Sequence, residues 1–386
     1  MSRYRSYLDI AKQIIEGYKG ETPFAIHLKN FFSGKKKFGS TDRKTISALC
    51  YNFFRAGNLL DGDIETRIVK SFFLLTEAPH PFLEEMDTGL NGLSSCSLSE
   101  KLALLKADEE NLFPFLSELS PGIDRSKFCR SMLHQPALFL RIRPGKENIV
   151  VRKLTEAGLA FEKPDENSVL LANGTKLDGI IAINRNAVIQ DLCSQHTLDF
   201  LEEDLFSRFP VDVWDCCAAS GGKSILAFDK LGQNLRLTVT DIRSGILKNL
   251  KLRLAEAGVP VFHSAVKDLT TPVTMPGKYN VILCDAPCTG SGTWSRTPEL
   301  LHQFKKEKIK EYSELQRKII KNALPHLDAG GVFVYITCSV FSQENEAQVN
   351  YLLQQHPQIK LLHQGYVKGY EKRADTLFTS SFKLSH

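Results

Sequence analysis

The feature that most constrains the fold of this chain is the regular alternation of short apolar runs with amphipathic helices that begins near residue 194. Helices that connect successive parallel strands cover both faces of the sheet that those strands form. The alternation therefore predicts an α/β domain with a parallel sheet covered on both faces over residues 194–386, and ligands at the carboxyl ends of its strands. The clearest predicted strands are residues 211–214, 235–240, 279–284 and 332–336, and the clearest helices are residues 244–257 and 305–324.

Two units of different pattern precede this domain. Residues 1–130 have apolar residues at three- and four-residue intervals, which predicts an all-helical domain. Its clearest helices are residues 7–18, 23–32, 42–54 and 64–75. Thr41 and Asp42 are expected to cap the third of them. Residues 131–193 combine strand-like runs at 138–142, 168–171 and 179–183 with a helix at 148–157, which predicts a small α+β unit.

Composition and charge restrict the class of partner only weakly. A formal net charge of +5 permits binding to a nucleic acid without indicating it. The basic run of Lys35, Lys36 and Lys37 is a candidate RNA contact, although such runs more often form a solvated surface. We find no apolar stretch that predicts a secretion signal or a bilayer span, so a cytoplasmic protein without a membrane partner is expected. The nine cysteines include no CxxC pair, which predicts reduced thiols and no metal site.

A glycine-containing loop follows the first predicted strand of the α/β domain. Its residues are Asp215, Cys216, Cys217, Ala218, Ala219, Ser220, Gly221, Gly222, Lys223 and Ser224. Small side chains and paired glycines allow a backbone to approach a ligand closely. A Walker A loop would need glycine at position 217, and no GxGxxG motif occurs, so a different cofactor is indicated. A tight turn without a ligand is the alternative.

Three acidic residues follow later strands in the order that a nucleoside cofactor requires. Asp241 comes about twenty residues after the loop, where a carboxylate binds both hydroxyls of a ribose. Asp268 is suited to the exocyclic amine of adenine, and Asp285 follows the next strand. A single aspartate at a strand end is more often a helix cap, but three in this order favour a cofactor site.

Two cysteines, Cys288 and Cys338, also follow predicted strands. An isolated free cysteine is usually an inert buried thiol. A thiolate beside a methyl donor, however, serves one particular reaction, because addition to carbon 6 of cytosine makes carbon 5 nucleophilic. Asp285 can assist that addition at the ring nitrogen, and the second thiol can assist release of the product. Lys223 or Arg296 is a candidate to stabilise the thiolate.

Three segments, residues 217–223, 285–292 and 337–339, together resemble the signature motifs of the Nop/Sun RNA cytosine methyltransferases. Residues 190–195, 296–299 and 344–346 are similar to further family positions, and the N-terminal helices look like the NusB-like domain of the bacterial RsmB branch. The resemblance implies a class I methyltransferase fold preceded by an RRM-like unit. It also implies S-adenosylmethionine as cofactor, a cytosine of small-subunit ribosomal RNA as substrate, and a monomer.

The resemblance also assigns roles to residues. The nucleophile falls on Cys338 and the product-release residue on Cys288, with Asp285 as a further catalytic residue. The cofactor-binding residues fall on Cys217, Ala218, Ala219, Ser220, Gly221, Gly222, Lys223, Asp241, Asp268 and Asp285.

Three positions depart from the family pattern. Ser220 replaces the usual proline, which changes the stiffness of the loop. Ile246 stands where an arginine often supports the acid at position 241. Arg143 stands where asparagine is common, which places the RNA contacts of that strand in question.

Two other functions are compatible with the sequence. One is the same chemistry on transfer RNA, and the other is a catalytically silent RNA-binding factor for ribosome assembly. The intact set of Cys338, Cys288 and Asp285 favours an enzyme, because a binding protein needs none of the three.

Overall fold

The structure, a computed structural model, describes residues 2–35, 37–201 and 210–385. Lys36, the middle residue of the basic run, lies outside the described residues. The chain divides into two compact units. The first comprises residues 1–117, 124–135 and 294–305, and the second comprises residues 118–123, 136–293 and 306–386. Across the described residues, the helices are all too short or too polar to cross a membrane.

The first unit is helical, as its sequence predicts. Its helices up to residue 135 are α1 (Arg3–Gly17), α2 (Phe24–Phe32), α3 (Ser40–Ala56), α4 (Ile64–Leu75), α5 (Pro81–Met86), α6 (Thr88–Gly92), α7 (Leu98–Leu104) and α8 (Arg125–Met132). The predicted cap of α3 is wrong, because the helix begins at Ser40 with Gly39 before it. Asp42 lies in the first turn, where its carboxylate accepts a hydrogen bond from the Gly39 N–H at 2.8 Å.

The second unit contains a small antiparallel sheet with one helix beside it. Its elements are β1 (Leu138–Ile142), α9 (Glu147–Glu156), β2 (Phe161–Asp165), β3 (Ser168–Leu171) and β4 (Ala187–Ile189), and the strand order is β2-β3-β1-β4. The predicted strand at residues 179–183 is wrong, since these residues form turns with one isolated bridge at Ile183. Their apolar pattern has another cause, because Leu177 and Ile181 are buried against this sheet.

The second unit also contains a seven-stranded sheet of order β10-β11-β9-β8-β5-β6-β7. Its elements, with those between them in the chain, are α10 (Leu192–Gln195), β5 (Val211–Asp215), α11 (Gly222–Leu231), β6 (Leu235–Asp241), α12 (Ser244–Glu256), β7 (Val261–Val266), β8 (Tyr279–Asp285), α13 (Leu300–Gln303), α14 (Glu307–Ala323), β9 (Leu327–Thr337), α15 (Glu346–Gln355), β10 (Ile359–Lys368) and β11 (Thr376–Leu384). Of these, α13 belongs to the first unit. The four predicted strands and two predicted helices are confirmed, with small differences at their ends.

The strands β5 to β9 are parallel, and β10 and β11 are antiparallel additions at one edge. Alternate residues of the central strands enter two hydrophobic cores: Val213 and Leu283 face one, while Trp214 and Ile282 face the other. In this order β5 lies between β8 and β6. The chain therefore passes from β5 to β6 toward one edge of the sheet and from β8 to β9 toward the opposite edge. A crevice for a ligand is expected at the carboxyl ends of these strands.

Candidate active site

The loop after β5 is held against the end of β6 by backbone hydrogen bonds. The Ala218 N–H donates to the Thr240 carbonyl at 3.0 Å, and the Ala219 N–H donates to Oδ2 of Asp241 at 3.0 Å. Ala219 has a φ of 45° and Gly221 a φ of 82°, which turns the chain sharply into α11. The loop is therefore a fixed turn whose backbone is anchored by one of the predicted cofactor residues.

The two glycines of the loop serve different purposes. A Cβ atom on Gly221 would lie 2.3 Å from Cδ1 of Leu250, in addition to the strain of its positive φ. A Cβ atom on Gly222 would meet Gln190 Nε2 only at 3.8 Å. Gly221 is required by the turn and by packing against α12, whereas a Cβ atom on Gly222 would make only an ordinary van der Waals contact.

Two cavities meet at the carboxyl ends of the strands. The first, here called the acidic cavity, has a volume of about 500 Å³, and its lining includes Cys217, Ala219, Asp241, Asp268, Asp285, Cys288 and Cys338. The second, here called the lysine cavity, has a volume of about 260 Å³, and its lining includes Ala218, Ala219, Ser220, Gly222, Lys223, Asp285 and Cys338. The structure thus brings the predicted site residues together, with Gly221 shaping the turn behind them. Ala219, Asp285 and Cys338 border both cavities.

The two predicted catalytic cysteines are in contact. Cys288 follows β8 and Cys338 follows β9, and these strands are paired in parallel. Their Sγ atoms lie 3.2 Å apart. The hydrogen bond to Cys338 and burial raise the pKa of the Cys288 thiol well above its ordinary value. The raised pKa of Cys288 favours its protonated thiol, and either sulfur of the pair can be the donor in the contact between them.

A buried cation adjoins this pair. Lys223 Nζ donates to Oδ2 of Asp285 at 2.7 Å, and only 11% of the lysine side chain is exposed. Burial would lower the pKa of Lys223, but the charges of Asp285 and Cys338 raise it above its ordinary value. Of the two cations considered from the sequence, Lys223 borders the same cavity as Cys338, whereas Arg296 belongs to the other compact unit.

Asp241 has an arginine partner despite the isoleucine at position 246. Arg243 Nε donates to Oδ1 of Asp241 at 2.9 Å, and its second guanidinium nitrogen reaches Oδ2 at 3.0 Å. Burial would raise the pKa of Asp241, but the hydrogen bonds from Arg243 and Ala219 lower it. The arginine partner of Asp241 is therefore Arg243, two residues after the acid, although position 246 is an isoleucine.

The third acidic residue, Asp268, is exposed and accepts a hydrogen bond from Thr270 Oγ1 at 2.7 Å.

Sequence reasoning missed the buried carboxylate that joins the two cysteine loops. Glu344 Oε1 accepts from the Thr289 N–H at 3.0 Å and from Gln316 Nε2 at 2.9 Å. Its Oε2 accepts from the hydroxyls of Thr289 and Ser339, each at 2.5 Å. Thr289 directly follows Cys288, and Ser339 directly follows Cys338, so one side chain holds both loops. Glu344 stood out in the sequence only as part of the resemblance at residues 344–346.

A second cysteine cluster, also missed, lies at the same end of the strands as the pair formed by Cys288 and Cys338. The sulfur atoms of Cys216, Cys217 and Cys284 lie within 4.8 Å of one another. The thiols of Cys216 and Cys217 donate hydrogen bonds to the sulfur of Cys284 and lower its pKa to about 6. Cys284 is 67 positions from Cys217 in the sequence, so spacing gave no indication of this contact.

Arg141 in β1 and Arg143, the residue after the end of β1, have structural partners. Arg141 and Arg143 each approach the carboxylate of Asp229 on α11 to 2.5 Å, and all three side chains are nearly buried. This ion triad joins the small sheet to the seven-stranded sheet. Arg143, the position that departs from the family pattern, thus makes an internal contact with Asp229.

The strand order, with five parallel central strands and a site at their carboxyl ends, defines a Rossmann-like methyltransferase fold. Residues 207–378 match the family model described as 16S rRNA methyltransferase RsmB/F. Over this segment, which is a little less than half of the chain, the protein is similar to the methyltransferase domain of that family.

Two curated relatives illustrate the similarity. The probable ribosomal RNA small subunit methyltransferase B of Bacillus subtilis is 27% identical over 60% of this chain and 52% of the relative. The ribosomal RNA small subunit methyltransferase B of Serratia proteamaculans is 34% identical over 46% of this chain and 40% of the relative. The chain thus spans about half the length of these relatives or less.

Solved structures show the same fold at low sequence identity. The crystal structure of PH0851 aligns with a TM-score of 0.73 and 19% identity, covering 99% of each chain. NSun6 from Pyrococcus horikoshii with SFG aligns with a TM-score of 0.59 and 16% identity, covering 72% of this chain and 97% of the other. At these identities the likeness supports the fold alone.

Proposed function

We propose that this chain transfers a methyl group from S-adenosylmethionine to carbon 5 of a cytosine in RNA, and that the RNA is small-subunit ribosomal RNA. The observation that carries the proposal is the contact of two thiols, Cys288 and Cys338, at the point where the two cavities meet. The names of the Bacillus and Serratia relatives support the choice of RNA. A cytoplasmic monomer is part of the proposal.

The acidic cavity fits the methyl donor. Its carboxylates follow β6, β7 and β8, and the anchored turn after β5 forms one wall. Asp241 would hold the ribose and Asp268 the adenine amine, while the backbone around Ala219 leaves space for the amino-acid part. The donor supplies an electrophilic methyl group when it is bound there. The solved NSun6 structure with SFG supports a nucleoside ligand in this fold.

The lysine cavity would receive the cytosine, because Cys338, Lys223 and Asp285 all border it. Cys338 forms a bond from its sulfur to carbon 6 of the base, which makes carbon 5 electron-rich. The Lys223 ammonium stabilises the thiolate before attack. As the sulfur adds, the ring nitrogen of the cytosine takes up a proton, which the Asp285 carboxyl group would supply from its protonated form, and this lowers the barrier to addition.

Release of the product needs a second group. After the methyl group has been transferred, a water molecule takes the proton from carbon 5, the electrons of that bond form the double bond to carbon 6, and the Cys338 sulfur leaves as a thiolate. Cys288 lies 3.2 Å from the sulfur that departs, and its raised pKa keeps it a neutral thiol that would stabilise the departing thiolate by a hydrogen bond. The asymmetry of the pair therefore agrees with attack by Cys338 and release by Cys288.

The test is a methyl-transfer assay with two purified RNAs, small-subunit ribosomal RNA and bulk transfer RNA, followed by mass analysis of the digested nucleosides. The expected product is 5-methylcytosine from ribosomal RNA only. 5-Methylcytosine from transfer RNA alone would support the alternative substrate. RNA binding with no methylated nucleoside from either RNA would contradict the proposal and support the silent assembly factor.

A further inference from the structure

The second cysteine cluster is produced by strand pairing. Cys216 and Cys217 directly follow β5, and Cys284 lies near the end of β8, which pairs with β5. The Cys216 N–H donates to the Leu283 carbonyl at 2.9 Å, which holds the two strand ends in register. The three sulfurs converge because the backbone places them there.

The spacing of the sulfurs is close to that of a thiolate metal site. Metal–sulfur bonds of about 2.3 Å place the sulfurs of a tetrahedral site roughly 3.8 Å apart. The three sulfurs already lie within 4.8 Å of one another. Each would move by less than about 1 Å to bind a common ion. Three sulfur ligands select soft ions such as zinc over hard ions such as magnesium or calcium.

The cluster has one open side. Cys216 and Cys284 are buried, with 1% and 0% of their surface exposed, and Cys217 is half-buried in the lining of the acidic cavity. Among the described residues, no histidine or carboxylate completes the group at the same distance. Three protein ligands and one water ligand form the usual open zinc site. The fourth position would therefore face the acidic cavity.

We propose that Cys216, Cys217 and Cys284 bind one zinc ion, with the fourth coordination position open to the acidic cavity. All three sulfurs bind the ion as thiolates and any proton that they still hold passes to the solvent, so three thiolates and one divalent ion leave one negative charge. A monovalent soft ion would leave two negative charges beside Asp285, which favours the divalent ion. Zinc and its water ligand occupy space in the acidic cavity and compete with the methyl donor; this consequence rests on the proposed function.

Cadmium(II) titration tests the site, because cadmium replaces zinc in thiolate sites and absorbs in the ultraviolet when bound to sulfur. The titration uses the Cys288→Ser/Cys338→Ser double variant, so that the reacting pair cannot contribute. We expect one ion per chain, and at least a tenfold loss of affinity with loss of absorbance when Cys284→Ala is added. The control Cys96→Ala, at a cysteine of the helical unit, should change neither quantity. Equal absorbance and affinity with and without Cys284→Ala would overturn the proposal.

A second measurement leaves all three cysteines of the cluster in place. Alkylation of Cys217 by iodoacetamide, followed by mass spectrometry, should slow at least tenfold when zinc is added to the double variant. An unchanged rate would overturn the proposal even if Cys284→Ala failed to fold.

Competition is measured separately, by equilibrium dialysis of labelled donor with the wild-type chain. The apparent Kd for the donor should rise with zinc concentration. A donor Kd that is independent of zinc would overturn the competition. A donor that fails to bind even without zinc would contradict the proposed function and leave the cadmium result standing.

Discussion

At the scale of single residues, position gives chemically identical side chains different properties. Cys288 and Cys338 are both half-buried thiols at strand ends, yet the hydrogen bond between them raises the pKa of Cys288. Only Cys338 borders the lysine cavity as well as the acidic one. The proposed division into an attacking and a releasing thiol follows from these two differences.

Asp215 is expected to make stability depend on pH. Burial raises its pKa to about 7, although Ser224 Oγ donates a hydrogen bond to it at 2.6 Å. An unfolded aspartate has a pKa of about 3.9, so between these values the folded chain holds a proton that the unfolded chain releases. The contribution of Asp215 to stability is thus present at low pH and is lost as the pH rises toward 7. We expect Asp215→Asn to gain up to roughly 3 kcal/mol over the wild type between about pH 5 and pH 8, in urea unfolding.

The matched control for this prediction is Asp178→Asn, the same substitution at an exposed aspartate. Its effect on the free energy of unfolding should be the same at both pH values. A difference between wild type and Asp215→Asn that did not change with pH would contradict the buried, protonated state of Asp215.

At the scale of elements, the turn between β5 and α11 distinguishes two neighbouring glycines. Gly221→Ala places a Cβ 2.3 Å from Leu250 at a positive φ, and should cost about 1–3 kcal/mol of stability and weaken donor binding. Gly222→Ala meets its nearest atom at 3.8 Å and should leave stability within about 1 kcal/mol of the wild type. Thermal unfolding and dialysis of labelled donor measure both variants. Equal losses of stability and of donor binding in the two variants would contradict a specific requirement for glycine at position 221.

The two cysteine loops are expected to depend on Glu344. Glu344→Ala leaves buried donors on Thr289 and Gln316 without their acceptor, and should cost about 2–4 kcal/mol and most of the methyl-transfer rate. Glu344→Gln retains one carbonyl oxygen for these donors and should preserve the fold with a smaller loss of rate. The matched control is Glu314→Ala on the exposed side of α14, with little effect on either quantity. Full methyl transfer by Glu344→Ala would contradict the positioning role.

At the scale of the whole molecule, the parts that the sequence predicts are those whose cause is local. Central strands such as β5 and β8 are short apolar runs, and parallel strands necessarily end at a common edge, so the loops that form the site could be predicted. The strand β2 is largely exposed and polar, and β11 buries Ser380 and Ser381 among its apolar residues. Neither shows the hydrophobic pattern of a strand.

The contacts that escaped prediction depend on register and on the direction of side chains. Cys284 meets Cys216 only because β8 and β5 are paired with one particular offset. Glu344 reaches Thr289 because the loop after β9 folds back over the loop after β8. A one-residue shift in either pairing would separate these groups, and no local pattern encodes that shift.

The junction of the two sheets is expected to depend on Asp229. Asp229→Ala leaves Arg141 and Arg143 as buried charges with no carboxylate between them, which should cost about 3–5 kcal/mol. The control Glu156→Ala removes the exposed partner of Arg152 and should cost less than about 1 kcal/mol. Urea unfolding compares the two. Similar small losses would show that the triad does not hold the sheets together.

The most direct test of the account asks which sulfur bonds to RNA. The Cys338→Ala and Cys288→Ala variants are incubated with ribosomal RNA and the methyl donor, then separated on a denaturing gel that retains only covalent complexes. We expect no complex with Cys338→Ala, and an accumulated complex with no turnover for Cys288→Ala, because the attacking sulfur remains while the thiol that assists its departure is gone. A complex with Cys338→Ala and none with Cys288→Ala would contradict the account and exchange the roles of the two cysteines.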